Sequence, residues 1–268
     1  GVTEWIGTCA WSGNVTTGPG SLVRVLANAS FNTAVTAANG FTNSANIELL
    51  ASGAATAATL NVTAGTLVNA PTGVISSLVA SGGARNLNAK LDNQGTITVA
   101  QSMTTNKASV QHLNSGTINL TTGNYTVILS GTTPSFTTTG TIDVPTGRTL
   151  TLQGVIAGDA GQDFYYAGGT MGGAGTVALL NSTLNLTNPL ASSMAQLAGT
   201  SSIVNGPSTL TVSAGTTVTF SGCTINATTV TEPTCTLQLT NSDHLGALTN
   251  NGVTEWIGTC AWSGNVTT

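Results

Sequence analysis

Residues 1–17 and residues 252–268 are the same seventeen-residue string, GVTEWIGTCAWSGNVTT, displaced by 251 positions. Identity over that length, with two Trp and one Cys in each copy, marks an internal repeat. A duplicated tag is the plain alternative. The sharper reading is a 251-residue unit, residues 1–251, followed by the start of the next unit at 252–268. Residues 252–268 are expected to hold the same place relative to the preceding coil as residues 1–17 do at the start. Leu248-Thr249-Asn250-Asn251-Gly252 enters the second copy much as Leu113-Asn114-Ser115-Gly116 enters its own strand, with no Pro-rich or charged spacer.

A shorter rhythm runs inside the unit. Gly-Thr followed by apolar, polar, apolar recurs as GTITV from Gly95, GTINL from Gly116 and GTIDV from Gly140. Looser forms begin at Gly65 and Gly175. Alternation over four to six residues predicts a strand with one buried face. Ile97, Val99, Ile118, Leu120, Ile142 and Val144 are expected to point inward, and Thr96, Thr98, Thr117 and Asn119 outward. The Gly before each strand is expected to supply the positive φ of a tight corner. Second strands are expected at Tyr125–Leu129, Thr149–Leu152, Thr183–Leu186 and Thr216–Phe220. Successive Gly-Thr signals fall at Gly95, Gly116, Gly140 and Gly169, intervals that suit one turn of a coil made of short strands. The expected fold is all-β, a right-handed parallel β-helix of roughly ten coils per unit, spaced about 4.8 Å apart. The alternative is an antiparallel β-sandwich.

Composition agrees with an all-β chain and narrows its partners. Five Lys and Arg against nine Asp and Glu leave a surface of Thr, Ser, Asn and Gly, with net charge −4. No basic patch awaits a phosphate backbone, so nucleic acid is not an expected partner. No run of about 18 apolar residues predicts a membrane-spanning helix. So little charge gives weak self-repulsion and favours association.

The phrases LDNQGTITV, LNSGTINL, AGGTMGGAGTVALL and TLTVSAGTTVTF resemble the passenger repeats of filamentous-haemagglutinin-type adhesins and autotransporters. The resemblance covers about residues 65–222 and is one of composition and rhythm. It implies a right-handed β-helix displayed outside a bacterial cell.

The residues that could carry chemistry are few. Cys223 and Cys235 bracket a short Glu232-Pro233 loop and are the first candidates for a disulfide. Cys235 with Cys260, one coil further on, is the alternative. In an exported chain such bridges persist. No Cys/His spacing predicts a metal site. Asp159 and Asp163 are the one close carboxylate pair, and with Tyr165 and Tyr166 they form a candidate glycan-contacting ledge. His112 and His244 stand alone and are expected at the surface or at corners. Trp5, Trp11, Trp256 and Trp262 are all of the tryptophan; they either plug a wide coil at the unit junction or form an exposed contact patch. Asn-x-Ser/Thr sequons are abundant, as expected of an Asn- and Thr-rich chain, and solvent-facing ladders account for them. No cofactor and no enzymatic activity are expected. The expected function is a structural subunit of an extracellular, head-to-tail fibre whose partners are copies of itself, end to end and laterally, and surface glycans. The alternative is an adhesin stalk that holds a binding tip.

Overall fold

The computed structural model describes residues 1–53, 55–155, 161–192 and 196–268. Among them the regular structure is all strand, and every named strand pairing is parallel. Each turn of the chain lays down three short strands, one on each of three faces, and turns stack as rungs about 4.8 Å apart. The result is a parallel β-solenoid of about 12 turns, not a sandwich.

The first face holds eight hydrogen-bonded strands from Val2–Trp5 to Thr170–Gly172. Five more, from Leu190–Ser192 to Val266–Thr267, take the same place in later turns. The second face runs from Thr8–Trp11 to Val253–Ile257. The third begins at Thr16–Thr17 and reaches Asp243–His244. Two long strands, Ala58–Asn69 and Arg85–Asn93, bend across the corner and serve both faces.

The Gly-Thr rhythm is the rung spacing itself. Thr96 pairs with Thr117, Thr117 with Thr141 and Thr141 with Thr170, so each signal sits directly over the one before it. Alternation then sorts the side chains. Ile97, Val99, Ile118, Leu120, Ile142 and Val144 are fully buried, whereas Thr96, Thr98, Thr117 and Asn119 face outward. Stacking puts like on like, as in the column Ile47, Ile75, Ile97, Ile118, Ile142, Met171. Each Ile added to such a column removes a side chain's worth of apolar surface from water, worth about 1.5–3 kcal/mol. Where a column widens, its neighbours adjust. Phe220 lies against Gly199, where a Cβ would come within 2.6 Å of the ring.

The corner glycines meet the expectation at Gly65 and Gly169, where φ is positive, and depart from it at the three regular signals. Gly95, Gly116 and Gly140 do not have positive φ. They stack on one another so closely that a Cβ on Gly116 would lie 2.1 Å from the Gly95 carbonyl oxygen, and one on Gly140 2.1 Å from that of Gly116. Glycine is required there by the approach of the neighbouring rung, not by the dihedral.

Beside these glycines runs a buried polar column. Thr17 donates to Asn43 Oδ1 (3.0 Å), Asn43 to Asn69 (2.9 Å), Asn69 to Asn93 (2.8 Å), Asn93 to Asn114 (2.7 Å) and Asn114 to Thr138 (3.0 Å). The amides also reach backbone carbonyls, Asn69 that of Thr96 and Asn93 that of Thr117. Every member thus satisfies its neighbours inside the protein, the condition under which buried amides rigidify a core.

Candidate functional site

Outside this core the chemistry-bearing residues are dispersed. Asp163 and Tyr165 point outward from the third-face strand Asp163–Tyr166, and Asp163 accepts a hydrogen bond from Asn185 (2.8 Å). Tyr165 is held above its usual pKa by burial first and by Asp163 second. Tyr166 alternates inward, is buried, and donates to the Gly169 carbonyl (2.8 Å), so it is removed from the candidate glycan ledge. Asp159 lies outside the described residues.

The two histidines are not at the surface. His112 and His244 are 1% and 0% exposed, because both occupy inward positions on the third face. His112 stacks on Phe136, and His244 stacks between Ile225 and Trp262. His112 accepts from the Leu91 backbone N–H at 3.3 Å. Burial, and then the nearby Lys90 charge, pushes it down to about 4. His244 is bonded to the Gly246 carbonyl and the Thr229 hydroxyl, both at 3.1 Å, and its pKa is also lowered, chiefly by burial.

The four cysteines are unbridged. Cys223 sits at the corner between the second and third faces, Cys235 at the corner between the first and second. The rung above Cys235 presents Gly252, whose Cβ position would lie 2.7 Å from the sulfur. The register instead puts Cys223, Ser242 and Cys260 in one column. Burial raises the pKa of both Cys223 and Cys235, which keeps them as thiols. Among the described residues no three His, Cys, Asp or Glu side chains gather.

What the structure does concentrate is apolar surface at its two ends. Among the described residues, six of the eleven exposed large hydrophobics lie in the two seventeen-residue copies: Val2, Ile6, Val253, Trp256, Ile257 and Trp262. At the first copy Trp5 and Trp11 tuck against the core, with ring centroids 5.3 Å apart and Trp11 5.9 Å from Phe41. They line a cleft of about 370 Å³ with Thr3, Val15 and Val23. At the second copy the equivalent pair, Trp256 and Trp262, stack at 6.2 Å and stay 38% and 49% exposed. The indoles are thus partly buried in the first copy and exposed in the second. Each terminal coil also has one strand edge hydrogen-bonded and the other open, a template for further pairing. Sequence reasoning flagged the four tryptophans but had no signal for which ends would be buried.

No family model, no curated protein and no solved structure matches this chain. The fold and its ends therefore carry the functional argument.

Proposed function

We propose that the chain is a structural element of an extracellular fibre, in which solenoid units follow one another head to tail. One observation carries this reading: the same seventeen residues recur 251 positions apart, and both copies stack in parallel register on the solenoid with no spacer between copy and solenoid. A contact that joins one end to the other, rather than each end to itself, is heterologous and open, the symmetry of filaments. The charge-poor, Thr- and Asn-rich exterior suits a spacer whose surface has little to recognise. An outward ladder, Asp163, Asn185, Asn205 and Asn226, with amide bonds of 2.8–3.1 Å, adds stiffness along one side. The extracellular setting rests on the resemblance to exported β-helices.

Electron microscopy of the purified chain at rising concentration tests the proposal, alongside a tandem chain of several units. Straight, unbranched rods that lengthen with unit number, and that in the single chain shorten on Trp256→Lys and Trp262→Lys, are expected. Tandem chains that look like separate particles joined by flexible tethers would overturn it.

A further inference from the structure

The two copies of the seventeen-residue segment have the same sequence and do not occupy the same face. In the first copy Val2–Trp5 lies on face one, paired with Leu22–Ala27. Thr8–Trp11 lies on face two, paired with Thr33–Ala37, and Thr16–Thr17 on face three, paired with Phe41–Asn43. In the second copy Val253–Ile257 lies on face two, stacked on Thr236–Thr240. Trp262 follows on face three against His244, and Val266–Thr267 on face one against Leu248–Asn250. The two copies are therefore out of phase by face, whereas the expectation concerned the rungs they meet. The second is advanced by one face.

The two placements are compatible, because they use opposite edges of the segment. The first copy gives its Gly1, Gly7 and Trp11 carbonyls to Leu22, Ala34 and Ala38 of the following rung. The second copy uses other groups toward the preceding rung. The Ile257, Ala261 and Asn265 carbonyls accept from Asn241, His244 and Leu248, and the Val253 N–H donates to Cys235. Shifted back by 251, those are Ile6, Ala10, Asn14 and Val2. None of these backbone groups is claimed twice, in keeping with the alternation of a β-strand paired on both sides.

Side chains match across the same splice. Gln238 donates to Oε2 of Glu255 at 3.0 Å, while the equivalent Glu4 meets Arg24 through Oε1 at 2.5 Å, and Arg24 goes on to Glu48 at 2.7 Å. One carboxylate can hold both neighbours, giving a continuous column Gln238, Glu, Arg24, Glu48. On the next corner Thr267 pairs with Thr249, which sets Thr268 over Asn250; its equivalent Thr17 donates to Asn43. The buried amide column would thus pick up Asn250, already bonded to Thr231 at 2.7 Å, from the unit before.

We infer that the repeated segment is a joining coil that docks the head of a second copy of this unit onto the tail of the first, with the three faces permuted by one position. This rests on the head-to-tail reading above. Face two of one unit continues as face one of the next, face three as face two, and face one as face three. Leu248–Asn250 is the twelfth strand of face one, so a unit advances eleven turns and one face, a rise of about 54 Å. Each unit is turned by about a third of a revolution relative to its predecessor. A feature such as the outward Asn185–Asn226 ladder returns to the same side only every third unit, about 160 Å along.

A chain carrying residues 1–251 followed by residues 1–268, imaged by crystallography or cryo-electron microscopy, tests this. The expected result is one uninterrupted solenoid with Gln238 of the first unit and Arg24 of the second on one column, and the faces advanced by one. A continuous solenoid whose faces stay in phase would overturn the permutation and leave the head-to-tail fibre standing. Two solenoids that do not stack would overturn both.

Discussion

The stretch from Asn43 to Thr138 and the stretch from Ser182 to Cys260 solve the same stacking problem with different side chains. In the first, successive face-one strands set Ile47, Ile75, Ile97, Ile118 and Ile142 over one another as the inward column, and the length of chain between them varies from rung to rung. In the second, Leu190, Leu210, Thr229, Leu248 and Val266 take those places, and the rungs are shorter and nearly equal. The irregular region relies on the buried amide column, whose side chains bond both the next rung's amide and a face-one carbonyl. The regular region instead has small residues at a different corner, between the second and third faces: Ser182, Ser202, Cys223 and Ser242, whose serines cap backbone groups, as when Ser242 accepts from the Cys223 N–H at 3.1 Å. Long side chains fix a corner whatever loop precedes it. Short ones suffice when every rung has nearly the same length.

The sharpest way to break that comparison is to remove one amide. Asn69→Leu removes one of the three acceptors of the Asn43 amide, which keeps the Ala45 and Val74 carbonyls, and takes the side-chain donor away from Asn93 Oδ1 and the Thr96 carbonyl. The expected loss is roughly 3–5 kcal/mol, read by chemical denaturation and by hydrogen exchange in the flanking rungs. Ser202→Ala in the regular region should cost about 1 kcal/mol by the same measurements. Equal losses would mean that both corners are held in the same way.

Acid should also act on the irregular region. His112 is neutral when folded, with its pKa depressed to about 4, so the unfolded chain binds the proton more readily. Stability from this group is complete above about pH 6.5 and is lost as pH falls toward 4, by about 3 kcal/mol in full. His112→Gln should flatten the pH dependence of unfolding in that window. An unchanged profile would place the acid sensitivity elsewhere, His244 included. A smaller effect is expected at Tyr125, which is wholly buried, bonded to Thr105 at 2.8 Å and pushed up to about 12 by burial. Tyr125→Phe should cost about 1 kcal/mol by leaving the Thr105 hydroxyl unpaired. Smallest of all is the outward ladder, where Asn205→Ala should change stability by less than about 0.5 kcal/mol because water replaces the lost bonds.

Much of the solenoid was legible because its signal is local. GTITV, GTINL and GTIDV carry their facing in the alternation, and their spacing is the rung length. The amide column was harder to see. Asn93 and Asn114 were visible as corner residues, but a corner amide is ordinarily solvated, and only the third dimension turns it inward. His112 shows how a single residue misleads. Matching Leu91 to Leu113 makes the histidine look like a corner residue, whereas matching on Gly95 and Gly116 sets His112 against Leu91 and leaves Leu113 45% exposed. A slip of one residue reverses every side chain in a strand. The end surfaces were legible as identical text and not as different environments, because their faces are chosen by the neighbouring rung rather than by their own residues.

The unequal rungs have a mechanical consequence. Hydrogen bonds between rungs lie along the solenoid axis, so tension on its two ends loads them directly and peels the structure one rung at a time. The short rung from Leu210 to Thr229 spans about 4.8 Å when stacked and about 65 Å when drawn out. The longer rung from Thr141 to Thr170 would release about 100 Å. Under force the unit is a series of extensible links with short strokes at one end and long strokes nearer the middle, and a single-molecule trace should show those step lengths directly.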